Sequence, residues 1–258
     1  FQPGEEILPG GANEMIREGI FNSFQPEKII GQHVYPELPA GKIGMKSGWY
    51  MASTDEIYID VKGKGGHGAK PNQCIDPIVA SAQLILALQQ IVSRHAEPNT
   101  PSVLTIGKII ANGATNIIPD LAHLEGTFRT FDETWRYQAH EWIKKTCQGI
   151  AEATGTTIEV DIKIGYPALY NNPEVTQQAR KLALEFLGED NVVDLALRTT
   201  AEDFAYFAQK YPSCFYRLGT SSADGTKFNA PVHNNCFDID ESALITGVGL
   251  MAYIGAKG

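Results

Sequence analysis

Glu56-Ile57-Tyr58-Ile59-Asp60-Val61 alternates polar and apolar side chains at every position. In an extended strand, alternate side chains point to opposite faces, so the three apolar residues share one face. This stretch therefore predicts a strand that is buried on one side only. The neighbouring segments are then expected to form the strands that pair with it and the helices that cover its apolar face.

The segments after this strand continue the pattern of a small α/β unit. Apolar residues recur at helical spacing, then in two extended segments, then again at helical spacing, and last in alternation. These segments lie at 75–92, 103–110, 121–130, 135–150 and 158–164. The order β-α-β-β-α-β predicts a ferredoxin-like domain over residues 52–162, with one antiparallel sheet and two helices on one face. The other face of the sheet is left open for a partner or a ligand.

The flanking segments, 1–51 and 163–258, predict a second, layered α/β domain into which the first is inserted. A helix is expected to begin at Asn172-Pro173 and to end at Gly188. Thr200 is expected to cap another helix that runs through Phe207, with Asp203 at the capping-box position. The fold class is thus α/β, with a discontinuous outer domain.

Composition and charge exclude several classes of function. The 258 residues include 21 basic and 30 acidic side chains, for a net charge of −9. Nucleic acids and anionic membranes both require a basic surface, so neither is an expected partner. No apolar run approaches the roughly 18 residues of a membrane span. The four cysteines are widely spaced, which favours a reducing compartment and predicts a cytoplasmic protein.

Glu5, Glu6, His33 and His233 are the residues that suggest chemistry. Three of them, Glu6, His33 and His233, follow apolar segments, and α/β sheets place their sites at strand ends. Carboxylates and imidazoles are also ligands of Zn²⁺ and Mn²⁺. No local motif joins the four residues, so a cluster has to form through tertiary folding. By residue type alone, two surface acids and two core histidines remain the simpler interpretation.

Seven short sequence blocks, which occur in a fixed order along the chain, favour a metal site over surface acids and core histidines. Together they resemble the metallopeptidase and amidohydrolase family of aminoacylases, carboxypeptidases and hippurate hydrolases. The closest resemblance is to the branch that hydrolyses N-acyl amino acids and auxin–amino acid conjugates, and it covers essentially the whole chain. The blocks are Phe1-Gln2-Pro3-Gly4-Glu5-Glu6, Gly31-Gln32-His33-Val34, Gly63-Lys64-Gly65-Gly66-His67-Gly68-Ala69, Asn116-Ile117-Ile118-Pro119-Asp120, Gly126-Thr127-Phe128-Arg129, Ala201-Glu202-Asp203-Phe204 and Val232-His233-Asn234.

The resemblance implies that the outer domain is a catalytic domain with two divalent ions per subunit, Zn or Mn. Glu5 matches the general base, and Glu6 matches a metal ligand. His33 and His233 match further metal ligands, one for each ion. Glu202 and Asp203 are expected near the site without an assigned role.

The resemblance also implies that the inserted domain is a lid through which two subunits form a homodimer. His67 matches the catalytic lid histidine that reaches the active site of the partner subunit. Asn116 and Arg129 match groups that contact substrate, and the planar arginine suits a terminal carboxylate. Arg129 shares a strand face with Thr127 and lies opposite Phe128, so it is expected to project away from the apolar layer.

The implied function is hydrolysis of the amide bond of an N-acyl amino acid, hippurate-like or similar, by metal-activated water. Two alternatives stay open: a dipeptidase or carboxypeptidase with the same mechanism, and a non-catalytic truncated remnant that dimerises through its lid. The related branch carries a Cys-Gly-His-Asp motif upstream of the glutamate pair, and this sequence has none. We therefore expect the N-terminal third of a full-length relative to be absent, and these 258 residues alone to bind metal poorly.

Overall fold

The computed structural model describes residues 2 and 4–258, so Phe1 and Pro3 of the first block lie outside the described residues. In the described part the α-helices are α1 (Gly11–Arg17), α2 (Pro77–Gln90), α3 (Glu133–Thr154), α4 (Pro173–Leu187), α5 (Ala205–Ala208) and α6 (Ser242–Lys257). The strands are β1 (Ile29–Pro39), β2 (Ile43–Met45), β3 (Gly48–Met51), β4 (Asp55–Lys62), β5 (Gly66–His67), β6 (Ser102–Ile110), β7 (Ile117–Ile118), β8 (Leu121–Thr130), β9 (Thr157–Ile164), β10 (Leu169–Asn171), β11 (Val192–Asp194) and β12 (Ser213–Ser221).

These elements divide into two compact units. The inserted unit consists of Ala52–Ala168 with Thr199–Ala201, and the rest of the described chain forms the flanking unit. Strand β4, which holds the alternating stretch, lies within the inserted unit. None of the helices in residues 2 and 4–258 combines the length and the apolar character needed to cross a membrane.

The inserted unit is a four-stranded sheet covered by two helices. The strand order is β9-β4-β8-β6, and every neighbouring pair is antiparallel. Its core joins Ile57, Ile59 and Val61 of β4 to Leu84 of α2 and Ile143 of α3, all of which are buried. The two helices therefore cover the same face, and the predicted β-α-β-β-α-β arrangement is the one observed.

Side-chain caps fix where the helices of the inserted unit begin. The Asp76 carboxylate accepts a hydrogen bond of 2.8 Å from the backbone N–H of Ile78 at the start of α2. Asp132 accepts one of 2.8 Å from Trp135 N–H at the start of α3. Each carboxylate satisfies an N–H that has no partner inside the helix. Helix α3 ends at Gly155, whose φ of 72° is easily adopted only by a residue without Cβ.

The flanking unit is a layered α/β structure around the strand order β1-β12-β2-β11. Strand β12 runs parallel to β1 and antiparallel to β2. Cys214, Tyr216 and Leu218 of β12 pack in one apolar cluster with residues of α4 and α6. Phe215 belongs to a second cluster with residues of α1, α5 and β3. The central strand is thus buried on both faces, and the predicted α/β fold class is confirmed.

One predicted helix is wrong. The segment from Thr200 contains only the short α5, and Thr200 does not cap it. Instead, the Asp203 Oδ2 atom accepts a hydrogen bond of 2.9 Å from the backbone N–H of Ala12 in the first turn of α1. Because the Asp203 carboxylate binds the backbone of α1, it does not form the local hydrogen bond that the capping box requires. A tertiary contact therefore replaces the predicted local one.

Candidate metal centre and substrate-binding residues

His33 lies on the face of the flanking sheet that is turned away from α4 and α6. It is in register with Arg217 of the parallel strand β12, and neighbouring residues at one register position point to the same side. On the same face of β1, Gly31 lies against Phe204 and Phe215: a Cβ on Gly31 would come within 2.7 Å of each ring. Phe204 and Phe215 also belong to the cluster on this side of the sheet. The imidazole therefore emerges beside a packed aromatic layer.

The environment of His33 keeps its ring neutral and one nitrogen available. Nδ1 lies 2.7 Å from the backbone oxygen of Val34, so this nitrogen carries the proton and donates. Nε2 is left with a lone pair. Burial, followed by the positive charge of Arg217, lowers the pKa of His33 to about 4. A neutral imidazole that is oriented by a backbone hydrogen bond is the usual form of a histidine that binds metal.

Glu6 and His233 meet although 226 residues separate them in the chain, with Glu6 in the turn before α1 and His233 in the loop before α6. The Glu6 Oε1 atom lies 3.7 Å from His233 Nδ1, and both side chains are exposed. Two ligands of one tetrahedral ion, with bonds of about 2.0–2.1 Å, place their donor atoms roughly 3.3 Å apart. The pair is thus spaced closely enough to share a cation.

Glu5 belongs to an acidic group that includes Glu202 and Asp203. One ligand atom from each of the three carboxylates lies within 4.8 Å of the others. Burial raises the pKa of Glu5, and the charges of Glu6 and Asp203 raise it further. Burial likewise raises the pKa of Glu202 to about 8, with Glu5 adding to the effect. Because these carboxylates lie close together, binding of a proton or a cation among them is favoured.

The residues of the flanking unit fit a divalent metal by their chemistry. Glu6, His33 and His233 supply carboxylate and imidazole donors, the set preferred by Zn²⁺ and also suited to Mn²⁺. The charge of His233 helps to lower the pKa of His33, and it also lowers the pKa of Glu5. His33, His233 and Glu5 therefore lie in one region of the unit. The structure therefore brings together the four residues of this unit that the sequence pointed to.

The inserted unit places His67 beside Asn116. The short strands β5 and β7 pair with His67 opposite Ile117, and the Gly68 N–H donates to the Asn116 backbone oxygen at 2.8 Å. The Nδ1 atom of His67 accepts a hydrogen bond of 3.1 Å from the Ala69 N–H. In the neutral ring the proton then resides on Nε2, which makes the exposed side of His67 a hydrogen-bond donor.

Arg129 lies apart from that pair, at the end of β8 on the open face of the inserted sheet. Its Nη1 donates to the backbone oxygen of Thr199 at 3.1 Å. Ala122, Leu124 and Phe128 of the same strand are buried on the helix-covered face, as the alternation predicted. Arg129 forms part of a shallow depression of about 230 Å³. The other residues that line it are Thr54, Glu56, Tyr58, Glu125, Gly126 and Thr127.

Sequence reasoning missed Tyr50, Arg198 and Arg217. Arg217 stands within Cys214-Phe215-Tyr216-Arg217-Leu218, and a charged residue inside an apolar strand was the one available signal. Tyr50 and Arg198 gave none, because Tyr50 meets Arg217, and Arg198 meets Tyr50, only through tertiary contacts.

The flanking α/β unit, interrupted by a ferredoxin-like unit, thus brings carboxylate and imidazole donors of the kind that bind divalent metals to its surface. The chain matches the model of the peptidase family M20/M25/M40 over residues 1–256, and it belongs to this family.

Individual relatives agree with this assignment. The chain is 37% identical over 254 residues to N-acetyldiaminopimelate deacetylase of Bacillus subtilis, a match that spans 97% of this chain. It superposes with a TM-score of 0.87 and 32% identity on a protein of methicillin resistant Staphylococcus aureus described as an aminohydrolase, covering 98% of this chain. The Bacillus subtilis YXEP protein, a dinuclear metal-binding peptidase of the M20 family, gives a TM-score of 0.77 at 32% identity, again over 98% of this chain.

The chain does not match these relatives over their whole length. It spans 65% of the deacetylase, 64% of the Staphylococcus aureus chain and 62% of the YXEP chain.

Proposed function

We propose that the native protein is a metal-dependent amidohydrolase that releases an amino acid from its N-acyl derivative. The observation that carries this proposal is the approach of Glu6 Oε1 to His233 Nδ1 at 3.7 Å, with Glu5 adjacent. Family membership and the dinuclear relative support two divalent ions per subunit, held in part by Glu6, His33 and His233. Four free cysteines among the described residues support a reducing compartment, and we place the protein in the cytoplasm.

Glu5 is the group that moves protons in this proposal. Divalent metals bound in such sites lower the pKa of a water to about 7 and polarise the substrate carbonyl. The Glu5 carboxylate removes a proton from the attacking water and delivers it to the leaving amine nitrogen. Its raised pKa favours holding that proton between the two steps. Glu6 cannot share this role while its oxygens are committed to a cation.

Substrate recognition is assigned to the inserted unit. His67 Nε2–H donates to the oxygen of the scissile carbonyl as negative charge develops there. The guanidinium of Arg129 offers two parallel N–H groups to the terminal carboxylate of the amino acid. Asn116 contacts the same substrate from the β5–β7 hairpin. These roles rest on the family blocks and on the exposure of His67 and Asn116 in the structure.

An N-acetyl amino acid is the substrate that the relatives favour, since the deacetylase removes an acetyl group from diaminopimelate. A dipeptide presents the same amide but adds a charged α-amino group to the acyl side. Removal of divalent metal by a chelator should abolish release of amino acid from N-acetyl substrates, and Zn²⁺ or Mn²⁺ should restore it.

The matched comparison uses N-acetylalanine and alanylalanine, followed by the appearance of free alanine. Faster hydrolysis of the dipeptide would replace the amidohydrolase by the dipeptidase alternative. Hydrolysis that survives complete metal removal would contradict the mechanism.

The inserted unit also supports a homodimer. Strand β6 lies at the edge of its sheet, where backbone groups are free to pair with another strand. Val103, Ile109 and Ile110 of this strand are among the exposed large apolar side chains, at 39%, 50% and 40% exposure. An apolar edge of this kind is typical of a surface that a second copy covers.

Mixing two inactive variants tests whether the dimer shares its sites. If His67 acts in the active site of the partner subunit, His67→Ala and Glu5→Gln subunits should form mixed dimers with one intact site. We expect a return of up to about one quarter of wild-type activity, measured after the subunits have exchanged. Each variant mixed with itself is the control, and the absence of any rescue in proven mixed dimers would refute the shared site.

A further inference from the structure

Arg217 is a buried cation whose observed contacts are all to neutral groups. The residue is 5% exposed. Its Nε donates to the Tyr50 hydroxyl at 3.2 Å, and its Nη2 lies 3.3 Å from the sulfur of Met51. The guanidinium carbon also lies 5.2 Å from the centre of the Phe215 ring. Among the ion pairs of residues 2 and 4–258, none includes Arg217. The acid on which its charge acts is the buried Glu202: Arg217 lowers the pKa of this carboxyl, but burial outweighs that effect and raises the pKa to about 8.

Arg198 brings a second guanidinium to the same place. Its backbone N–H donates to the Tyr50 backbone oxygen at 2.9 Å. The guanidinium lies over the ring of Tyr35 at 4.8 Å, and its buried Nε has no hydrogen-bond partner among the described residues. Tyr50 therefore contacts both arginines, through its hydroxyl and through its backbone oxygen.

The position of this cluster ties it to the candidate metal centre. Arg217 and His33 occupy one register position on adjacent parallel strands, so their side chains leave the sheet on the same face. Tyr50 and Met51 come from β3, which lies on that side, because Tyr50 and Phe215 share an apolar cluster. We call Tyr50, Arg198 and Arg217 the arginine cluster.

Buried charge of one sign without a partner is unfavourable. A guanidinium has five N–H donors, and a phenol and a thioether satisfy them poorly compared with a carboxylate. The fork of N–H groups matches the two oxygens of a carboxylate and forms charge-assisted hydrogen bonds. An anion beside the two guanidinium groups would therefore be favoured.

We propose that the arginine cluster binds a carboxylate of the substrate side chain, and that the preferred substrate is the N-acyl derivative of a dicarboxylic amino acid. This inference rests on the proposed function. A substrate with a second carboxylate supplies Arg217 with an ion-pair partner. A neutral analogue leaves Arg217 buried without one.

The test compares N-acetylglutamate with N-acetylglutamine, which have nearly the same shape and differ by one charge. Wild-type protein should show a kcat/KM that is about 10-fold to 100-fold higher for the acid, as expected for charge-assisted hydrogen bonds. Arg217→Met should bring the ratio of the two kcat/KM values close to one, and Arg217→Lys should keep part of it. Arg198→Met, at a half-buried position, should lower the ratio in the same direction even if Arg217→Met fails to fold.

Arg180→Met is the matched control, because Arg180 pairs with Asp194 in an exposed ion pair of the same unit. It should leave the ratio unchanged. An equal loss on both substrates in the Arg217 variants would overturn the proposal and assign Arg217 to a group that all substrates share. An unchanged ratio with lower stability would overturn it in favour of a structural cation. If wild-type protein hydrolyses no N-acyl amino acid, the proposed function itself fails.

Discussion

Replacing Glu5 by Gln should lower kcat by roughly 10²–10⁴-fold, the usual contribution of a positioned general base. Gln keeps the size of the side chain but cannot accept a proton at neutral pH. Glu5 lies next to Glu202 and Asp203, whose side chains are more buried than that of Glu5. We therefore expect little compensation. The measurement is steady-state hydrolysis of an N-acetyl amino acid, with bound metal determined on the same samples.

Two further substitutions make this result specific. Glu6→Gln should lose metal as well as turnover, because Glu6 is the proposed ligand that approaches His233 at 3.7 Å. Glu37→Gln, at an exposed position of β1, should change neither. Full activity of Glu5→Gln with its metal in place would remove Glu5 as the base. Loss of metal in that variant would instead make Glu5 a ligand.

Replacing Asp55 by Asn should destabilise the inserted unit by about 3–5 kcal/mol, the range for breaking a buried ion pair from one side. Asp55 is fully buried, and its carboxylate accepts from Arg136 Nη2 at 2.5 Å and from Arg136 Nε at 2.9 Å. His140 Nε2 lies 2.7 Å from the same carboxylate. Asn cannot neutralise the buried guanidinium. The carboxylate joins the start of β4 to α3, so the loss affects the packing of the whole unit.

Urea denaturation followed by tryptophan fluorescence measures this effect, because Trp135 and Trp142 both lie in α3. Lys144→Ala on the same helix is the control. Lys144 pairs with Glu141 at 2.8 Å, but both side chains are exposed, so the expected loss is below about 1 kcal/mol. A loss for Asp55→Asn as small as that of the control would show that the buried network contributes little.

The same network predicts a dependence on pH. Burial alone would raise the pKa of Asp55, but hydrogen bonds from Arg136 and His140 outweigh burial and hold this pKa below its ordinary value of 3.8. A carboxyl whose pKa is lowered by folding stabilises the fold above its unfolded-state pKa and loses that effect as the pH falls through its folded-state pKa. The stability difference between wild type and Asp55→Asn should therefore be complete at neutral pH and should shrink in acid below about pH 4.

The fold could be predicted from the sequence wherever burial has a simple period. In β4 and β8, one face packs on helices and the other does not, so burial alternates throughout β4 and along most of β8. Helix α4 carries its own signals, with Asn172 accepting hydrogen bonds at its start and Gly188 at its end. The helix predicted after Thr200 was wrong because Asp203 accepts a hydrogen bond from α1. The local sequence gives no sign of this tertiary contact.

The site divides in the same way. Glu5, Glu6, His33 and His233 were identifiable because they belong to family blocks, and they approach one another in the flanking unit. Arg217, by contrast, could not be identified in this way. It is unusual because its side chain is buried and its hydrogen-bond partners are neutral. No pattern along the chain encodes that environment, since Tyr50 lies 167 residues away.

The amount of divalent metal that the protein binds decides whether it is a metal-dependent amidohydrolase. Elemental analysis of the purified protein, before and after chelation and after return of Zn²⁺ or Mn²⁺, gives the number of ions per subunit. We expect about two divalent ions per subunit, which are lost together with amide hydrolysis and regained together with it. If the protein binds no divalent ion at saturating Zn²⁺ or Mn²⁺, the metal-dependent mechanism is wrong and a non-catalytic role is favoured.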